Sequence, residues 1–255
     1  MVGAWTTAVA GLMLAAWLPT LLRSRGGPAR RARARRRAMH RWGRGMMRAT
    51  GVRVVTEGKA PPEGVLVVSN HLSYLDIAVL GSVVPMVFVS KAGVRRWPFW
   101  GFMAALGGTV FVDRSRKRDV VPALAGIRRA LERGDRVIVF PEATSTKGAT
   151  ILPFKPALLA AAAADGKPVH WMTLTYSTAP GSPPARDRVC WWGDMGFVPH
   201  ALALFALGRV HCTVRFGDTP VRSTDRKALA VALRSAMLER FEPVDGGEPP
   251  GDSGA

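Results

Sequence analysis

No acidic residue occurs before Glu57 in this chain of 255 residues, although 18 stand from there onward. Cysteine is scarce too, with two residues, and neither lies in a cluster with the five histidines. That argues against a disulfide framework and against a structural zinc module. No Gly-x-Ser-x-Gly elbow is present, which removes the usual signature of a serine hydrolase. There are no internal repeats. Glycine and proline (27 and 19 residues) stay below the level of a disordered chain, and 48% hydrophobic residues suffice for a proper core. The length fits one medium domain or two small ones.

What is present in excess is positive charge, 36 Lys and Arg against 18 Asp and Glu, for a net of +18. Such a balance points to a polyanionic partner, either nucleic acid or an anionic membrane surface. Its distribution decides between them. Eleven arginines lie between Arg23 and Arg48, whereas beyond Arg53 the count is nearly even, 24 basic to 18 acidic. A nucleic-acid binder would carry further basic clusters with aromatics in its globular part. The arginines instead come directly after Ala4 to Leu22, 19 residues without a charge, with Trp5 and Trp17 near the ends. That run is long enough to cross a bilayer core as a helix, or to lie in one leaflet as a hairpin. Charge on its C-terminal flank is the wrong pattern for a cleaved export signal and keeps the downstream chain in the cytoplasm. Residues 1–22 are therefore expected to be a membrane anchor at the inner membrane. Residues 23–49 are expected to be a basic interfacial segment whose apolar edge, Met39, Trp42, Met46 and Met47, lies on lipid headgroups.

From Gly51 the composition turns globular. Runs rich in β-formers occur at 52–55, 65–69, 86–90, 109–112, 136–140, 169–176 and 211–216, with helical patterns at 73–83, 120–133, 157–164 and 226–241. The alternation predicts an α/β sheet layered with helices over residues 50–243. Gly81, Gly134 and Gly166 sit where helix C-caps are expected. Residues 244–255 read as a disordered polar tail. Residues 95–106 (RRWPFWGFMAAL) fit a core helix or an aromatic surface dipped into the bilayer.

The sharpest chemical pattern is Ser69-Asn70-His71-Leu72-Ser73-Tyr74-Leu75-Asp76, directly after a strand. A neutral histidine takes a proton from a hydroxyl, and a carboxylate on its other ring nitrogen fixes the tautomer. Five residues apart on one helix, the two side chains would diverge by about 140°. The pair therefore requires His71 in a loop and Asp76 in the first turn of a helix that Ser73 caps. Ser73-x-x-Asp76 is also a capping-box pattern, which leaves capping as the bland role for Asp76. A second pattern, Pro141-Glu142-Ala143-Thr144-Ser145-Thr146, comes after the strand at 136–140 and suits a polar pocket at the mouth of the sheet. A third carries Arg114 out to the end of the strand at 109–112, for an anionic ligand or an ion pair with Asp119. His170, His211, Cys190 and Cys212 read as structural, the cysteines free and partly buried.

Together these blocks resemble the membrane glycerolipid acyltransferases of the lysophosphatidic acid acyltransferase type. Asn-His-x4-Asp (70–76), Phe-Val-Asp-Arg (111–114), Phe-Pro-Glu-Ala-Thr (140–144) and the Lys-Pro-Val run at 167–169 match in order over about residues 50–220. The resemblance implies a glycerol-phosphate acyltransferase-like fold, a mixed sheet with helices on its faces, preceded by a membrane helix. It implies transfer of an acyl group from acyl-CoA or acyl carrier protein to a free hydroxyl of a lysolipid, without metal, cofactor or covalent enzyme intermediate. By it, His71 is the general base, Asp76 orients it, and Arg114 binds an anionic headgroup. Glu142, Thr144 and Ser145 contact the acceptor, and Lys91 is a weaker anion contact. The family's third block usually reads Phe-Pro-Glu-Gly-Thr-Arg. Here Ala143 replaces the glycine and Ser145 the arginine, which removes a bidentate phosphate partner. That departure, with Leu-Pro-Phe-Lys at 152–155 and the run Gly193 to His200, is similar to the lyso-ornithine-lipid and lysophospholipid branches.

Overall fold

The computed structural model describes residues 27–96, 104–105, 107–112 and 117–244, with Gly11 and Gly101. The expected anchor at 4–22, most of the aromatic stretch at 95–106, and Arg114 lie outside the described residues. Among the described residues no helix is long and apolar enough to cross a membrane.

Seven strands form one sheet: β1 (Val52–Glu57), β2 (Leu66–Ser69), β3 (Val87–Lys91), β4 (Val110–Val112), β5 (Val137–Val139), β6 (Val169–Thr178) and β7 (Val210–Phe216). Their spatial order is β1-β7-β6-β2-β5-β3-β4. From β6 to β4 the neighbours are parallel, β7 runs antiparallel to β6, and β1 runs parallel to β7. The sheet is therefore mixed, and five strands deliver their C-terminal ends to one edge. All seven strands fall where the β-rich runs predict them, within a residue or two.

Strands β2 and β5 are buried along their whole length because helices cover both faces of the sheet. Alternate residues then feed different cores. Val67 and Ile138 pack with α1 (Pro28–Thr50) and α2 (Leu75–Val83). Leu66, Val68, Val137 and Val139 pack with α3 (Lys117–Glu132), α4 (Ala160–Ala164) and α7 (Arg226–Leu238). Between β6 and β7 the chain also forms α5 (Ala185–Arg188) and α6 (Phe197–Ala206).

Helix α1 corrects one expectation. It opens with Pro28 at its first position and closes on Gly51, whose φ of 69° lets its N–H reach the Met47 carbonyl. Its apolar edge, Ala38, Met39, Trp42, Met46 and Met47, is buried against α2 and the sheet rather than turned to lipid. Each such side chain taken out of water contributes roughly 1.5–3 kcal/mol, so the protein core claims the edge first. What α1 presents outward is arginine: Arg33, Arg35, Arg37, Arg44 and Arg48 are exposed, while Arg36 pairs with buried Asp135 at the start of β5. The helices cross closely at Gly43, where an added Cβ would sit 2.6 Å from the Ser82 nitrogen and 2.7 Å from the Ala78 carbonyl oxygen.

Two smaller corrections concern punctuation. Gly134 and Gly166 take positive φ after α3 and α4 as expected, but Gly81 lies inside α2. Val244, expected to open the polar tail, is instead buried and donates its N–H to the Gly148 carbonyl at 2.9 Å. Residues 245–255 lie outside the described residues.

Candidate active site

Strand β2 ends at Ser69 and α2 begins at Leu75, so His71 falls in the connecting loop and Asp76 in the first turn. This is the arrangement the five-residue spacing requires. His71 Nδ1 stands 2.7 Å from Asp76 Oδ2. A buried carboxylate can only accept, so Nδ1 carries the proton and Nε2 keeps its lone pair. The ring stacks on Phe140, with centroids 4.2 Å apart, and its side chain is 23% exposed.

Asp76 holds the ring and also ties down the turn ahead of α2. Its Oδ2 also accepts from the N–H groups of Leu72 (2.8 Å) and Ser73 (3.1 Å), and its Oδ1 accepts from the Tyr176 hydroxyl at 2.8 Å. Ser73 Oγ in turn accepts from the Leu75 N–H at 3.3 Å, but the residue at the N-cap of α2 is Tyr74 rather than the expected Ser73, and no side chain caps the helix. Tyr176 is fully buried, and burial beside Asp76 pushes its hydroxyl well above the ordinary pKa, so it stays a donor. Beside it Cys212 is buried as well, and so is Cys190; neither is in a disulfide, and both are more enclosed than the sequence suggests.

The loop is held from two further sides. Asn70 lies past the end of β2, and its amide accepts from the Leu174 N–H (2.7 Å) and donates to the Leu174 carbonyl (3.0 Å). The side chain thereby continues the β2–β6 ladder where the main chain has turned away. From the end of β5, Glu142 Oε1 accepts from the His71 N–H and Oε2 from the Leu152 N–H, both at 2.8 Å. Glu142 is 3% exposed, and desolvation pushes its carboxyl up to about 7 against those two bonds. Both oxygens thus brace the His71 loop, a role that sequence reasoning did not supply.

Thr144 is exposed, and its hydroxyl donates to the Ser145 carbonyl at 3.4 Å. Ser145 Oγ donates to the Trp191 carbonyl, and Trp191 donates its own N–H to the Leu72 carbonyl at 2.8 Å. The Thr146 N–H closes the lacing on the His71 carbonyl at 3.0 Å. Ala143 stands at φ 68°, the left-handed region, alone among the described non-glycine residues. Glycine, the residue usual here in the family that the sequence resembles, adopts this region freely, whereas Ala143 holds it under strain. Lys91 ends β3 exposed at the same edge of the sheet, two strands from β2.

The residues left unassigned by sequence reasoning are Tyr176, Phe140, Asn70 as a bracing group, and an aromatic group beside the loop. In that group Tyr74 O–H lies 3.0 Å from His200 Nδ1, and His200 Nε2 lies 3.0 Å from the Cys190 carbonyl. His200 therefore carries its proton on Nε2, and its burial lowers its pKa. Phe197 and Trp191 pack edge-on against Tyr74 at 4.9 and 5.8 Å. Among the described residues no group of three His, Cys, Asp or Glu side chains is placed to hold a metal ion.

The family model described as Acyltransferase matches residues 51–176, which run from β1 to Tyr176. The lyso-ornithine lipid O-acyltransferase of Brucella abortus is 37% identical over 219 residues, covering 77% of this chain and 81% of the relative. The chain belongs to the acyltransferase family. The 1-acyl-sn-glycerol-3-phosphate acyltransferase of Neisseria meningitidis is 38% identical over 209 residues, covering 80% of each chain. The acyltransferase fold is matched by the crystal structure of the 1-acyl-sn-glycerophosphate acyltransferase from Thermotoga maritima, with a TM-score of 0.59 and 22% identity over 92% of this chain and 90% of that one. His71 lies past the C-terminal end of β2, at the edge of the sheet where α/β proteins commonly bind their ligands.

Proposed function

We propose that this acyltransferase moves an acyl group from acyl-CoA or acyl carrier protein to the free hydroxyl of a membrane lysolipid. The observation that carries the reading is the 2.7 Å contact between His71 Nδ1 and Asp76, which leaves Nε2 as the basic nitrogen. His71 takes the acceptor's hydroxyl proton on Nε2, and the oxygen attacks the thioester carbonyl. The new C–O bond forms, the C–S bond breaks, and the proton on Nε2 passes to the leaving thiolate. Asp76 stabilises the imidazolium, with its second oxygen held by Tyr176. The N–H groups of His71, Leu72 and Ser73 are engaged by Glu142 and Asp76, so the donors for the developing oxyanion lie elsewhere. No cofactor or metal takes part.

The acceptor contacts proposed are Thr144, Ser145, Lys91 and Arg114, with Glu142 as a positioning residue. Ser145 favours a second acceptor. A serine hydroxyl donated to the Trp191 carbonyl brings no charge where a phosphate would need one, and this supports a lyso-ornithine or other lysolipid over lysophosphatidate. Residues 1–22 anchor the enzyme in the inner membrane, and the arginines after them hold its catalytic domain on the cytoplasmic surface. The test is thioester-dependent acylation of a panel of lysolipids by the wild type and by His71→Ala. Activity abolished by the substitution supports the mechanism, and unchanged activity sinks it. A clear preference for lysophosphatidate over lyso-ornithine lipid refutes the inference from Ser145.

A further inference from the structure

Helix α6 carries no charged residue between Phe197 and Ala206. At about 100° per residue, Val198, Pro199, Leu202 and Ala206 fall in one arc, and all four are exposed. Val198 is 62% and Leu202 46% exposed, whereas His200 and Leu204 on the opposite arc are buried. Trp192 adds an exposed indole just before the helix, its Nε1–H already donated to the Arg186 carbonyl at 3.0 Å. A partly exposed aromatic ring with its polar edge satisfied is suited to the headgroup boundary. Soluble surfaces tolerate single apolar residues, but a contiguous arc of them marks an interaction site.

We propose that this face of α6 is a second membrane contact, separate from the N-terminal segment, which lays the bilayer against the wall of the active site. It rests on the lipid-acceptor reading above. The occupant is a bilayer for two reasons. The end of α6 abuts the end of α1, where an added Cβ on Gly51 would meet the Gly208 carbonyl oxygen at 2.2 Å, and exposed Arg48 and Arg209 stand at that junction. An apolar arc with a cationic flank matches an anionic lipid surface. A second copy of the chain, at net +18, would bring like charge to the same place. The contact also reaches the chemistry directly. Behind the arc, His200 and Phe197 touch Tyr74, and Trp191 holds the Leu72 carbonyl one residue from His71. A lysolipid moving from the leaflet past α6 arrives at the histidine without entering bulk water.

The experiment attaches an environment-sensitive fluorophore to full-length Leu202→Cys; Cys190 and Cys212 are buried and do not compete for the label. Adding vesicles of zwitterionic and anionic phospholipid should shift the emission to the blue and expose it to quenchers carried on lipid chains. An unchanged spectrum on vesicles overturns the proposal. So does an emission already blue-shifted in buffer, which means that another part of the chain or a second copy covers the face. In parallel, Val198→Glu with Leu202→Glu should weaken vesicle affinity by about tenfold and slow acylation of vesicle-borne lysolipid. Turnover of a monomeric short-chain lysolipid should stay within about twofold, because neither side chain belongs to the catalytic group. A wild type that acylates no lysolipid in either form sinks the lipid-acceptor reading, and the fluorophore still reports whether α6 meets the bilayer.

Discussion

Asp76 accepts four hydrogen bonds while shut away from water, and each has a separate consequence. Asp76→Asn keeps the size but replaces one accepting oxygen with a donor. The amide then faces either the Tyr176 hydroxyl or the His71 N–H, and the imidazole loses its imposed tautomer. We expect kcat to fall by about 10²–10⁴, with thermal denaturation checking that the fold survives. Ala143 gives the opposite kind of prediction. A side chain in the left-handed region costs roughly 1–2 kcal/mol, part of which Ala143→Gly gives back against the greater freedom of glycine when unfolded. A rise of about 0–1 kcal/mol in urea unfolding at unchanged m-value is expected. Glu142 makes stability depend on pH. Its carboxyl is raised from 4.5 to about 7 in the fold, so the folded chain holds the extra proton between those values. Its favourable contribution is complete below about pH 4.5 and is lost as the pH rises through 7. In melting curves taken across this window the wild type should lose stability, and Glu142→Gln should lack that part of the slope.

Elements add constraints that single residues do not. The crossing of α1 and α2 admits no side chain at Gly43, since the atoms in the way are backbone. Gly43→Ala should separate the helices at a cost of about 1–3 kcal/mol, whereas Gly93→Ala, with nothing within 4 Å, serves as the control in the same denaturation series. The strands were legible because their runs are short, rich in β-branched residues and bounded by turns. The face that α1 turns to the protein was not. Met39, Trp42, Met46 and Met47 form an apolar edge that a lipid surface and a protein core satisfy equally, and only the position of α2 decides between them. Helix α6 was hidden for a different reason. Pro199 sits in its first turn, where a missing N–H costs nothing, yet in a sequence it reads as a break. The His71–Asp76 pair was local and readable, because a loop-to-helix junction of five residues nearly determines its own geometry. Tyr176 and the backbone role of Glu142 lie 100 and 71 residues from their partners, and no periodicity links such distances.

For the whole molecule, the consequence lies in time. Strand β6 must lie beside β2 before Asn70 finds Leu174 and before Tyr176 reaches Asp76, contacts that span 104 and 100 residues. Strand β6 is in turn paired to β7, and the Trp191 segment that holds Leu72 lies between the two. Helices and local turns need none of this. Pairings so distant along the chain are slow to form, because loop closure must be met before the contacts stabilise anything. After dilution from denaturant, far-ultraviolet circular dichroism should therefore return ahead of acyl transfer, and the delay should lengthen in Tyr176→Phe or Asn70→Ala. Simultaneous recovery of the two signals would mean that the histidine loop is set by its own short sequence. If the delay is seen, the His71 loop is the last part of the chain to mature, and a nascent or damaged copy that has lost β6 stays inert instead of squandering acyl thioesters on water.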